Sequence, residues 1–145
     1  MMTEEDLDTL KILSSIYEEN LDSKKKVKIP ISNQHLDIKT NIMFQFLSIF
    51  VKRFNISDIE NRRVELDYLN DKHYTLPELE LEYRRITSLK NTVNSYSDEY
   101  YSSQNLIIDA CLDYLNGSIC QLESLIQKSI PEKVSSWNEI EGLFF

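Results

Sequence analysis

The chain has 145 residues, with 24 acidic and 16 basic side chains and a formal net charge of -8. That length suits one domain, or a small head carrying an extended element, and a hydrophobic content of 41% is too high for a disordered chain. Two glycines and three prolines supply too few tight turns for sandwiches, barrels, hairpin-rich sheets or glycine-rich phosphate loops, so the composition points to an all-α fold of long helices.

Thr3 is placed to cap a first helix, with Glu4, Glu5 and Asp6 in the first turn, where the helix dipole favours negative charge. Leu7, Leu10, Leu13 (or Ile12), Ile16 and Tyr17 follow at helical spacing, and the helix is expected to end near Leu21. This acidic N-terminus lacks the apolar core of a signal peptide, and no apolar stretch approaches the roughly 20 residues that span a bilayer. The expectation is a soluble, intracellular protein with no membrane partner.

A linker over 22–32 carries the one basic run, Lys24, Lys25, Lys26 and Lys28, just before Pro30. Clustered lysines on a flexible segment fit the acidic grooves of a nuclear import receptor; the alternative is a solvated linker without a role. Ser32 or Asn33 would cap a second helix bearing Leu36, Ile38, Ile42, Met43, Phe46, Leu47, Ile49, Phe50 and Phe54. A helix apolar around most of its circumference has to be covered on several sides, which makes it the expected centre of a head. Ser57 and Glu60 form a capping-box pattern for a third helix with Ile59, Val64, Leu66 and Leu69, ending about Asp71 and closing a head over 1–74.

Thr75-Leu76-Pro77-Glu78 is a stronger start signal, with a cap residue, a first-turn proline and an acid three positions after the cap. From there a long helical segment over 75–130 carries apolar or aromatic residues at seven-residue spacing: Leu79, Ile86, Val93, Tyr100, Ile107 and Tyr114, with Leu89 and Tyr96 beside them. Such spacing means a seam that faces other helices, of the coiled-coil type. After Asn105 the stripe drifts by one residue and continues as Ile108, Cys111, Leu115, Ile119, Leu122 and Leu125 or Ile126. Either one helix of about 50 residues runs through a stutter, or the chain turns at Ser102-Ser103 into a helical hairpin. The lack of Gly or Pro at that point favours the rod. A tail over 131–145 is aromatic; Trp137, Ile140 and Phe144 would share one helical face suited to a hydrophobic groove, in a partner or in the chain itself.

No catalytic constellation stands out in this chain. His35 and His73 have no ligand at metal-binding spacing, so no metal or cofactor is expected. No serine lies in a nucleophile elbow. Cys111 and Cys120 are nine positions apart in a helical pattern, roughly 13 Å and too far for a disulfide, and neither has a basic neighbour to activate it. Asp109 and Asp113 share a helix face only as weakly paired carboxylates. The net charge disfavours direct nucleic-acid binding; a small basic patch would need the lysine run to fold beside Lys52, Arg53, Arg62 and Arg63. Tyr96 and Tyr100 in the seam suit a partly wet helix interface, since each hydroxyl needs a partner.

The expectation is therefore a non-catalytic interaction subunit of a multi-protein assembly, hetero-oligomeric rather than homodimeric. Its partner interface would be Leu79, Ile86, Leu89, Val93, Tyr96, Tyr100, Ile107, Tyr114, Trp137, Ile140 and Phe144. The alternative is a compact helical bundle that binds a peptide or helix in a groove as a regulator. The plan of a head, a basic run and a long helix is similar to that of small coiled-coil subunits in fungal kinetochore and Mediator assemblies. That likeness of plan implies a nuclear scaffold role.

Overall fold

The computed structural model describes residues 2–28, 35–56 and 75–129. In chain order these form α1 (Glu4–Glu19), β1 (Lys26–Lys28), β2 (His35–Asp37), α2 (Ile38–Arg53) and α3 (Leu76–Ser129). The third helix expected over 57–71, His73 and the tail with Trp137, Ile140 and Phe144 lie outside the described residues.

α1 begins as its sequence dictates. The Asp6 amide donates to Thr3 Oγ1 and the Thr3 amide to Asp6 Oδ2, both at 3.1 Å, which completes a reciprocal capping box. Its inner face buries Leu10 and Leu13. At the other end, Asn20 caps the helix and its side-chain amide donates to the Ile16 carbonyl at 2.8 Å.

The linker expected over 22–32 is in part a strand. β1 pairs antiparallel with β2 in the register Lys26↔Asp37, Val27↔Leu36, Lys28↔His35. The second helix accordingly starts at Ile38, not at Ser32 or Asn33, and Leu36 belongs to the ribbon. Three-residue strands alternate too briefly to stand out from a helical pattern. The pairing is anchored instead by the helix that it leads into. The Ile38 amide donates to the Lys25 carbonyl at 3.0 Å, which ties the ribbon to the first turn of α2.

α2 is the centre of the molecule, as its all-round apolar surface requires. Ile42, Met43, Phe46, Leu47 and Phe50 are buried, and Ile38, Phe44, Ile49 and Val51 are partly buried against the same core. α1, α3 and the ribbon all pack on it. It ends without a glycine: Asn55 takes the left-handed conformation (φ 48°), and the Ile56 amide donates back to the Val51 carbonyl at 3.2 Å. That is the Schellman closure, with asparagine in the usual place of glycine.

α3 is helical throughout except at Gln104 (φ -132°, ψ 24°). The Tyr83 hydroxyl donates to Glu123 Oε1 at 3.4 Å. In a straight helix 40 residues would separate these groups by roughly 60 Å. The continuous rod favoured by the absence of Gly and Pro is therefore incorrect. The chain folds back at Gln104 into two antiparallel arms, 76–103 and 105–129, two residues past Ser102. The turn needs neither residue because the backbone angles at Gln104 are open to any L-amino acid. Its side chain, 2% exposed, accepts a 2.7 Å hydrogen bond from the Tyr96 hydroxyl. A second bond spans the turn on its outer side, from the Tyr101 hydroxyl to Asp109 Oδ2 at 3.2 Å.

Both arms bury residues at alternating three and four: Leu79, Glu82, Ile86, Leu89, Val93 and Tyr96 in the first, then Ile108, Cys111, Leu115, Ser118 and Leu122 in the second. The one-residue drift after Asn105 is the change of phase that the turn introduces. A single hydrophobic core joins the apolar members of these rows to Leu10 and Leu13 of α1 and to the phenylalanines of α2.

Two sets of variants test this architecture. Ile86→Asp with Val93→Asp should prevent folding of the lone chain, since each fully buried aliphatic contributes about 1.5–3 kcal/mol and a buried charge adds its desolvation cost; circular dichroism that matches the parent would refute the cis seam. Gln104→Leu should cost about 1–3 kcal/mol by stranding the Tyr96 hydroxyl, and Tyr96→Phe about as much by stranding the amide. The double variant should recover part of that loss in chemical denaturation.

Candidate interaction surfaces

The expected partner seam is occupied by the chain itself. Leu79, Ile86, Leu89, Val93, Tyr96 and Ile107 are buried, while Tyr100 and Tyr114 sit half-buried at its margins. Tyr100 stacks on Tyr96 with ring centroids 4.6 Å apart, and Tyr114 meets Phe44 edge-on at 5.6 Å. Tyr96 also receives Phe46 and Phe50 edge-on, at 6.1 and 5.2 Å. Burial of Tyr96, relieved somewhat by its bond to Gln104 and reinforced by Tyr100 and Glu99, pushes the pKa of its hydroxyl up to about 12. Glu82 occupies a seam position with its charge because Arg85, equally buried, donates to it.

The four lysines stand exposed, Lys24 and Lys25 ahead of the ribbon and Lys26 and Lys28 on it. Alternation along β1 turns Lys26 and Lys28 to the face opposite Val27, across from Asp37 and His35. The main chain of 26–28 is thus already paired. Of the residues that could extend a basic patch, Lys52 is exposed and Arg53 instead pairs with Asp6 across the ends of α1 and α2; Arg62 and Arg63 lie outside the described residues.

Among the described residues, no group of three His, Cys, Asp or Glu side chains could hold a metal ion, and no helix is long and apolar enough to cross a membrane. His35 is exposed on the ribbon. Cys111 is buried, and desolvation pushes its thiol well above the ordinary range; Cys120 is exposed, and both are free thiols. Asp109 is engaged by Tyr101, whose own hydroxyl that bond and the carboxylate charge push upward, and Asp113 is exposed.

Heptad spacing gives no view of the outer side of the bundle. Ile12 is 60% exposed, and Ile16, Leu21, Phe54, Leu81, Tyr101 and Leu106 are exposed as well. Ile12 and Ile16 lie one turn apart on the solvent face of α1, with Leu10 and Leu13 opposite. The signal for this face is the competition between Ile12 and Leu13 for the inner stripe: both cannot face the same way, so one of them has to be exposed. Against known proteins, no family model, no curated protein and no solved structure matches this chain.

The Asp6 carboxylate links two of these elements. Burial raises its pKa, but the Thr3 amide, the Arg53 guanidinium and the Thr3 hydroxyl together outweigh that and hold it below the ordinary aspartate value. A lowered folded-state pKa means stability that is present above the unfolded value, near 4, and is lost as pH falls through the folded one. Asp6→Asn should therefore melt below the parent at pH 7, and the two melting curves should converge below about pH 4. A constant gap across that range would show that the pair contributes nothing through its charge.

Proposed function

We propose that the chain is a non-catalytic helical interaction subunit of a multi-protein assembly, working as a compact bundle that presents its outer faces to other helical proteins. The observation that carries this reading is the division of apolar surface. The heptad-spaced side chains are spent in cis, whereas Ile12, Ile16, Leu81, Tyr101 and Leu106 face solvent on regular helices. Exposed apolar side chains on rigid elements are where a partner helix gains most. Between the two expectations this supports the bundle that receives a helix over the rod that pairs through Leu79, Ile86 and Val93. A role in a nuclear scaffold, such as a kinetochore or transcription complex, stays part of the proposal through the exposed Lys24, Lys25, Lys26 and Lys28.

Hydrogen exchange on the full chain, alone and with a partner captured from cells and purified, tests the reading. Protection should appear on an outer helical face while the amides of 79–122 stay as slow as before. Faster exchange along 79–122 on binding would mean that the bundle opens and the seam pairs in trans. Failure to capture any stoichiometric protein partner would sink the reading altogether.

A further inference from the structure

Given the interaction reading above, on which this step rests, we infer that the solvent face of α1 receives a basic amphipathic helix of another protein. Its aliphatic side chains would lie against Ile12 and Ile16, and its Lys or Arg against Glu5 and Glu19. At 3.6 residues per turn, Glu5, Thr9, Ile12, Ile16 and Glu19 form one stripe, in the alternation of four and three that a facing helix requires. All five are exposed, Ile12 by 60%. The inner stripe of α1, through Leu10 and Leu13, runs along the other side and is covered by the chain's own core. The two isoleucines therefore have acid at both ends, and Asp8 adds a third exposed carboxylate beside them. Lys11, the one base on α1, lies about 100° round the helix from Ile12. The neutral polar side chains nearest the isoleucines are already satisfied. The Thr9 hydroxyl donates to the Glu5 carbonyl at 2.9 Å and the Asn20 amide to the Ile16 carbonyl at 2.8 Å, so a helix laid over them strips neither of its partner.

Charge identifies the occupant. A second α1 is disfavoured by it: laid in parallel it sets Glu5 on Glu5 and Glu19 on Glu19, and laid antiparallel it brings Asp8 to Glu19. The segments of this chain outside the described residues suit the face no better. Residues 57–74 hold five acids against three bases, 130–145 three acids against one, and 29–34 no charge. The aromatic tail is apolar enough to cover Ile12 and Ile16 but would bring acid to acid. The chain's own basic run is tied to the start of α2 through Lys25 and Ile38 and leaves this face exposed. The complement is a helix of another protein that carries positive charge. Glu5 and Glu19 stand fourteen positions apart, roughly 21 Å along the axis, so its bases belong two heptads apart with the aliphatics between them. Acid at both ends reads the same in either direction, which fixes the partner's chemistry and not its polarity. With two isoleucines at its centre and exposed ion pairs around them, the contact belongs to the weak, salt-sensitive class.

The probe is a synthetic helical peptide of about three heptads, with leucines in the middle of its seam and lysines at both ends of it. It is titrated into the full chain and followed by amide chemical shifts, with circular dichroism to confirm that each variant stays folded. Shifts should centre on 5–19, and a scrambled peptide of the same composition should bind at least about tenfold more weakly. Ile12→Ser with Ile16→Ser, both at exposed positions, should cost about tenfold or more while the bundle stays intact. Glu5→Lys with Glu19→Lys should lose the lysine peptide and accept one with glutamates in place of the lysines. Absence of binding would overturn the proposal, as would equal binding of the scrambled peptide or indifference to the isoleucine pair. Shifts centred on a different outer face would overturn the assignment to α1 and leave the interaction reading standing, which the partner capture above decides separately.

Discussion

The hydrogen bond from Tyr96 to Gln104 pins the bend around which the rest of this molecule is built. A helical segment of more than fifty residues with no proline after its first turn has no backbone reason to bend, and its sole glycine, Gly117, lies well beyond the bend. At the fold-back sit a buried amide, on the one non-helical residue of α3, and the hydroxyl eight positions earlier that satisfies it. A buried glutamine is costly unless its hydrogen bonds are made, so the pair ties the bend to a specific residue rather than to any weak point near it. The two arms come into register from that point, and the tyrosine that closes the bend also receives Phe46 and Phe50. The hairpin and the phenylalanine core of α2 thus share one side chain.

α2 is the other half of that arrangement. Too apolar to stand on a surface, it is sheltered by α1 on one side, by the hairpin on another and by the ribbon at its start. The antiparallel course of α1 and α2 is secured at one end by Asp6 and Arg53 and set at the other by the β1–β2 ladder. Polar devices at the ends and aromatic packing in the middle divide the labour. The ends specify direction, and the middle supplies most of the burial free energy.

Much of this is readable from residue order. The caps at Thr3 and Thr75 follow from a hydroxyl and an acid three positions on, and both form: the Glu78 amide donates to Thr75 Oγ1 at 3.4 Å and the Thr75 amide to Glu78 Oε1 at 3.2 Å. The centrality of α2 follows from its composition. Both phases of the seam are visible in the sequence, as is the drift between them. The meaning of the drift is not, because a stutter and a turn produce the same shift in pattern. What separates them is the tertiary fit of Gln104, a residue that carries no turn propensity of its own. The ribbon escapes for a related reason, since three residues on each side give almost no period to detect. The solvent face of α1 is masked by the apolar residues of the inner stripe beside it. Once Leu10 and Leu13 are assigned inward, Ile12 has only the outside left.

The two thiols give the bundle a chemical clock. Cys120 faces solvent and Cys111, nine residues earlier on the same arm, lies sealed in the core with its proton held firmly in place. A thiol reagent therefore meets one sulfur at the rate of an unhindered surface group. It reaches the other only in those moments when the arm 105–129 lifts from the core. The ratio of the two rates reads out how often the hairpin opens, with the exposed cysteine as an internal standard in the same molecule. Any ligand, partner or substitution that tightens or loosens the closure at Gln104 will register as a change in the slow sulfur alone.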